Sequence, residues 1–181
     1  MGARLAGLGL RMPLGYLVGA LVLFLARPGA ESTLLGLALA VLGQALRVWA
    51  SGHIEKTRCL ATGGPYAHTR NPLYLGSLLI GLGLAVATAS PWAVLAVVGY
   101  FVAFYPALIR SEAEFLRGRF PDAYADWERE VPLFLPRLSA GGPRRTHFDW
   151  QRVRSNKEWR TTAAIPLVAA LLYARGRFGI S

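Results

Sequence analysis

The sequence predicts an all-α, polytopic helical membrane protein with a central transmembrane hairpin and a polar C-terminal lobe on the cytosolic side. Three observations carry this expectation. From Leu73 to Ile109 run 37 residues without a formal charge. Hydrophobic residues make up 54% of the 181 residues and charged residues only 17%, against about 25% charged in a typical soluble domain. Mean hydropathy is +0.36 although the net charge is +10, a pairing that argues against a soluble enzyme and against an acidic or disordered chain.

The elements follow in order. Met12–Ala26 and Ser32–Leu46 are uncharged runs, read as helices over about 12–26 and 33–50, the second extended by an Arg47 that snorkels to the interface. Arg27-Pro28-Gly29-Ala30 between them is a tight turn. The first segment has the basic start of a signal peptide but no good cleavage site, so it is read as a retained helix. A span needs about 20 residues, so the 37-residue run is two short spans, 73–89 and 92–109. They break at Ser90-Pro91, because proline cannot continue a helix and restrains its predecessor. Residues 1–109 are thus a four-helix membrane region. Residues 110–160 are polar, with Pro-bounded turns and a linker-like stretch at 141–145, and form the cytosolic lobe. In 161–181, Thr161–Ala174 is apolar but rises only about 21 Å, which favours a buried, re-entrant or interfacial helix over a fifth span.

Charge orients the whole. Of the 20 Lys and Arg, two lie in 1–11, four in 47–72 and eleven in 110–160, while the turn at 27–32 has one and the Pro91 turn none. Four spans put the three rich groups on one face, which the positive-inside rule makes cytoplasmic, in a bacterial inner membrane or its equivalent. Basicity is thereby accounted for by orientation and attraction to anionic lipid, and nucleic acid is not expected as a partner. One cysteine, Cys59, gives no intrachain disulfide framework, and His53, His68 and His147 have no metal-site spacing, so no metal is expected. There is no G-x-S-x-G, Walker A or H-E-x-x-H motif. Gly7-Leu8-Gly9 and Gly81-Leu82-Gly83 read as small-residue helix packing.

Two clusters remain. Residues 63–76 read Gly-Gly-Pro-Tyr-Ala-His-Thr-Arg-Asn-Pro-Leu-Tyr-Leu-Gly and end where the third span begins. A membrane-interface turn accounts for much of this: Gly-Pro and Asn-Pro turn, Tyr sits in the aromatic belt and Arg snorkels. Beyond the fourth span comes Arg110-Ser111-Glu112-Ala113-Glu114-Phe115-Leu116, and an acid at the depth of Glu112 needs a partner or ligand. Phe120, Ala123, Tyr124 and Trp127 then form an i, i+3, i+4, i+7 stripe, ended by Val131-Pro132, which fits an amphipathic helix lying on the membrane. Because the hairpin leaves and returns to one face, Arg70 and Tyr74 are expected to meet Glu112.

The ordered series Gly-Pro-Tyr-x-x-x-Arg-x-Pro-x-Tyr-x-Gly, an uncharged hairpin, then Glu, Phe-Leu, Phe, Tyr and Val-Pro resembles the integral-membrane methyltransferases, the superfamily of isoprenylcysteine carboxyl methyltransferases and phospholipid methyltransferases. It covers roughly Arg47 to Pro136. Asn71 stands where the family usually has His, and Ala113 where it often has a second Glu. The resemblance implies methyl transfer from S-adenosylmethionine to a lipid-like, lipophilic or prenylated acceptor at the membrane, in a C-terminal lobe that binds the cofactor. It implies Arg70, Glu112 and His68 as catalytic candidates, and Tyr66, Arg70, Pro72, Tyr74, Glu112, Tyr124 and Trp127 at the cofactor. Arg70 offers a planar fork for the cofactor carboxylate; Glu112 suits its ammonium or ribose hydroxyls. Tyr66, Tyr74 and Trp127 suit adenine or the sulfonium. His68 suits cofactor binding or an acceptor proton. The alternatives are an NADPH-dependent membrane reductase of related fold and a non-enzymatic small helical membrane protein.

Overall fold

A computed structural model describes residues 2–55, 59–141 and 146–178; residues 142–145 of the expected linker lie outside the described residues. Within the described residues the chain is all helical, without strands. Helix α1 spans Gly2–Phe24, α2 Ala30–Ser51, α3 Pro72–Ala87, α4 Pro91–Arg119, α5 Pro121–Glu130, α6 Trp150–Ser155 and α7 Trp159–Phe178, with a short 3₁₀ turn over Gly64–Ala67. Two helices, α2 and α4, are long and apolar enough to cross a membrane.

Helix α4 does not stop where its apolar run stops. It continues from Ile109 through Arg119, because no helix-breaking residue intervenes until Phe120-Pro121, where proline excludes the α conformation at its predecessor. Helix α7 is likewise longer than the 14-residue apolar run, with 20 residues. It carries Arg175 within the helix, whose guanidinium donates to the carbonyls of Ala26 at 2.9 Å and Phe24 at 3.0 Å. A cation there satisfies the orphan carbonyls at the end of α1.

The chain divides into two compact units that are discontinuous in sequence. One comprises 1–42, 78–108 and 163–181, the other 43–77 and 109–162. The division cuts through α2, α3, α4 and α7. In the first unit much of the interior is built from small side chains: Ala40, Ala85, Ala87 and Ala93 are fully buried, with Leu172 and Val22 as larger buried side chains. A methyl at Gly83 would stand 2.5 Å from the Gly36 carbonyl and the Ala40 amide, so α2 and α3 meet backbone to backbone, the close approach typical of helices in lipid. Large side chains point outward, with Tyr16, Phe24, Leu34 and Trp92 more than two-thirds exposed. Arg27 donates its backbone N–H to the Thr88 carbonyl at 2.8 Å, joining the α1–α2 and α3–α4 turns at one end of this unit.

The second unit has the opposite packing. Its core is Ala50, Leu60, Tyr66, Tyr124, Trp127 and Val131, with Leu73, Leu116, Phe120 and Ala123 packed against it. The predicted stripe on α5 therefore faces this core rather than a lipid surface. Arg47 does not snorkel: its guanidinium bonds Glu158 at 2.8 and 3.1 Å and Ser77 at 2.6 Å.

Candidate functional site

Residues 60–72 approach α3 through a segment whose backbone groups are tied down. Gly63 donates its N–H to the Thr146 hydroxyl at 3.0 Å. Gly64 has φ +56° and its missing side chain is replaced by the His53 ring, which a methyl would meet at 2.4 Å; both conformation and space require glycine. Opposite this segment runs 132–141. Arg70 N–H bonds the Pro132 carbonyl at 2.9 Å, Arg137 N–H the His68 carbonyl at 3.0 Å, and Gly141 N–H the Ala67 carbonyl at 2.8 Å. The Thr69 hydroxyl reaches the Phe134 carbonyl at 2.8 Å, and the Asn71 amide the Leu133 carbonyl at 2.8 Å. Asn71 thus serves as a clamp on this loop.

These ties hold Tyr66 and Arg70 in the wall of a cavity of about 430 Å³, within the size of small-molecule sites, roughly 300–1,000 Å³. Glu112 and Leu116 come from the extension of α4, Phe120 from its junction with α5, Tyr124 and Trp127 from α5, Ser51 from the end of α2, Ile54 from just beyond it, and Asn156 and Glu158 from the α6–α7 connection. The extra turns of α4 beyond Ile109 are what bring Glu112 here. The Tyr74 hydroxyl donates to the Glu112 carboxylate at 2.6 Å, so the expected meeting of Tyr74 and Glu112 across the hairpin occurs.

Arg70 is spanned on one side. Its Nη1 bonds Glu128 at 2.7 Å and the Tyr124 hydroxyl at 3.4 Å, while its Nε is buried without a hydrogen-bond partner. A buried unsatisfied donor costs about 1–3 kcal/mol, and an acceptor in the cavity would recover it. Burial pushes the Glu128 carboxyl up, but hydrogen bonds from Arg70 and Arg117 outweigh this and hold it below its ordinary value. Burial, reinforced by the charge of Glu112, raises the Tyr66 phenol well above its ordinary value, so it remains a protonated donor across the physiological range.

Trp127 and Tyr124 pack edge to face at 5.7 Å and 81°, each 2% exposed, and the Trp127 indole donates to the Tyr66 carbonyl at 2.9 Å. They form a rigid aromatic wall. Pro72 is buried at the first position of α3, where its fixed φ suits a helix start. His68 is not among the lining residues; its Nδ1 lies 2.9 Å from the Arg137 carbonyl and its ring 6.5 Å from that of Trp49. The structure therefore brings together Tyr66, Arg70, Glu112, Tyr124 and Trp127, with Tyr74 bonded to the rim, and leaves His68 outside.

Sequence reasoning missed Glu158, Asn156 and Glu128. Glu158 is 5% exposed and bound to Arg47. Like Glu112, Glu158 is an acid at the edge of an apolar run, beside Trp159. Glu128 gave no signal, since its partner Arg70 is 58 residues away. Among the described residues no group of three His, Cys, Asp or Glu is placed to hold a metal ion.

Comparison with known proteins bears on this arrangement. A family model described as phospholipid methyltransferase matches residues 31–123, which include Arg70, Tyr74 and Glu112. The cobalt-zinc-cadmium resistance protein CzcN of Cupriavidus metallidurans is 42% identical over 110 residues, 59% of this chain and 48% of that protein. The nickel-cobalt-cadmium resistance protein NccN of Alcaligenes xylosoxydans xylosoxydans is 38% identical over 110 residues, 59% of this chain and 49% of that protein. The chain spans about half the length of the curated relatives it matches. No solved structure matches it. A family match over half of the chain, which takes in the arginine, tyrosine and glutamate of the site, shows that this protein belongs to the phospholipid methyltransferase family.

Proposed function

We propose that the protein transfers a methyl group from S-adenosylmethionine to a lipid-like, amphipathic acceptor at the membrane interface, with the cavity of the second unit as the cofactor site. The observation that carries this is the unspent Nε donor of Arg70 in a wall that also presents Glu112. A guanidinium and a carboxylate in one cavity match the carboxylate and ammonium of an amino-acid moiety. Tyr66, Tyr124 and Trp127 supply an apolar aromatic wall for an adenine or a sulfonium.

S-adenosylmethionine supplies an electrophilic methyl group on a sulfonium centre. The work of this chain is then positioning. Glu128 and Tyr124 fix the guanidinium plane of Arg70, Tyr74 orients the Glu112 carboxylate, and Arg47 holds Glu158 in the wall. We assign His68 to holding the 132–141 loop rather than to proton transfer. We further assign the site to the cytoplasmic face, on the positive-inside count, and α1 to α4 as spans. Helix α7 is assigned as a fifth: 20 residues rise about 30 Å, and Arg175 reaches the end of α1.

The test is incubation of the full chain with methyl-labelled S-adenosylmethionine and total membrane lipid extract, followed by identification of the labelled species. Label in a lipid, lost in Arg70→Ala, supports the proposal; no transfer to any lipid contradicts it. The relatives' names favour a second reading, a part in resistance to cobalt, zinc, cadmium or nickel, tested by metal tolerance of cells with and without the intact gene.

A further inference from the structure

At the end of the first unit where the α1–α2 and α3–α4 turns meet lies a second, open cavity of about 860 Å³. Arg27, Arg175 and Ser90 line it together with Trp92 and Phe24. It adjoins a smaller, apolar groove of about 470 Å³ between α2 and α7, lined by Leu34, Leu37, Leu172 and Tyr173, and the two share Pro28 and Gly176. Among the described residues no carboxylate lines either one. We infer that this pair of cavities is a binding site for one anionic phospholipid, its phosphate held by Arg27 and Arg175 and one acyl chain lying along the apolar groove.

The charges argue for an anion. Arg175 uses Nε and Nη2 on the carbonyls of Ala26 and Phe24, which fixes the guanidinium in place while one edge remains. Arg27 engages the protein through its backbone, at Thr88, and its exposed side chain makes no hydrogen bond or ion pair within the described residues. Two guanidinium groups lining one cavity, with no carboxylate among its described lining residues, leave a net positive charge, and a phosphodiester there offsets one of the two charges while accepting hydrogen bonds from both with the bidentate geometry arginine favours. The surroundings argue for a lipid rather than a free anion. Trp92, Phe24 and Tyr173 are 68%, 74% and 69% exposed at this end, a belt of aromatic side chains of the kind that marks headgroup level. The adjoining groove supplies the apolar surface that a headgroup alone would not use.

The experiment is native mass spectrometry of the full chain released from detergent, titrated with dioleoyl phosphatidylglycerol, dioleoyl phosphatidylcholine or inorganic phosphate. Three variants are compared: Arg27→Gln, Arg27→Lys and, as a control of equal charge change, Arg154→Gln on α6. The expected result is one tightly retained phosphatidylglycerol, bound at least tenfold more weakly by Arg27→Gln and largely restored by Arg27→Lys. Arg154→Gln matches the unsubstituted chain, phosphatidylcholine binds at least tenfold more weakly, and inorganic phosphate does not displace the lipid. Equal retention of both lipids, no difference between Arg27→Gln and Arg154→Gln, or displacement by phosphate would each overturn the site. Because the Arg27 side chain is exposed and makes no hydrogen bond or ion pair within the described residues, its loss does not confound lipid release with unfolding.

Discussion

The two units of this chain are packed by opposite rules. In one, alanines and glycines are inside and Tyr16, Phe24, Leu34 and Leu35 are outside; in the other, Trp127 and Tyr124 are inside and each is 2% exposed. The first arrangement makes sense where the surroundings are as apolar as the side chains, so that close backbone approach rather than burial of large groups holds helices together. The second is that of a water-facing domain, whose stability comes from removing aromatic surface from solvent. The contrast teaches where function is expected. Polar groups are scarce in the first unit, and in the second they surround a cavity.

Substitutions can break this contrast. Trp127→Ala removes the largest buried side chain together with its hydrogen bond to Tyr66, and should cost about 3–5 kcal/mol, read as a lowered midpoint of thermal unfolding in detergent. Val41→Arg, at an outward position in the middle of α2, should cost about 3 kcal/mol through insertion of a charge into hydrocarbon, whereas Leu138→Arg, fully exposed in the second unit, should change stability by less than about 0.5 kcal/mol. Equal effects at the two positions would remove the distinction between the units.

Next in size is the Arg47–Glu158 pair, with side chains 19% and 6% exposed. Removing one partner leaves the other charge uncompensated, so Arg47→Met or Glu158→Met alone should cost about 3 kcal/mol and the double substitution much less; additive losses would show that the pair does not interact. The smallest effect concerns pH. The folded-state pKa of Glu128 is held below its ordinary 4.5, so its contribution is complete above pH 4.5 and declines as pH falls through the folded value. With Glu128 about one-third exposed, this should amount to less than about 1 kcal/mol, and Glu128→Gln should flatten the acid side of the stability profile.

Legibility from sequence followed the same divide. The apolar runs, the Pro91 turn and the stripe on α5 could be read because hydropathy, proline and helical periodicity are local signals. The end of α4 was misplaced because hydropathy marks where lipid contact stops, not where a helix stops. The direction in which the α5 stripe faces was not legible, because lipid and protein core ask for the same residues. Tyr74 with Glu112 was foreseeable from hairpin topology. Arg70 with Glu128 and Arg47 with Glu158 were not, since partners 58 and 111 residues apart leave no periodic trace. His68 was a reasonable candidate by residue type, yet its position depends on a backbone pairing with 132–141 that only the folded chain reveals.

The aromatic-walled cavity of the second unit is proposed to take an adenosyl amino acid through Arg70 and Glu112. Calorimetric titration of the detergent-purified full chain with S-adenosylhomocysteine and, separately, with NADPH tests it most directly. Saturable binding of S-adenosylhomocysteine is expected, weakened at least about 100-fold in Arg70→Ala or Glu112→Ala, as loss of a charged hydrogen-bonding partner entails, with no binding of NADPH. Binding of NADPH in its place, or S-adenosylhomocysteine binding that survives both substitutions, would contradict it.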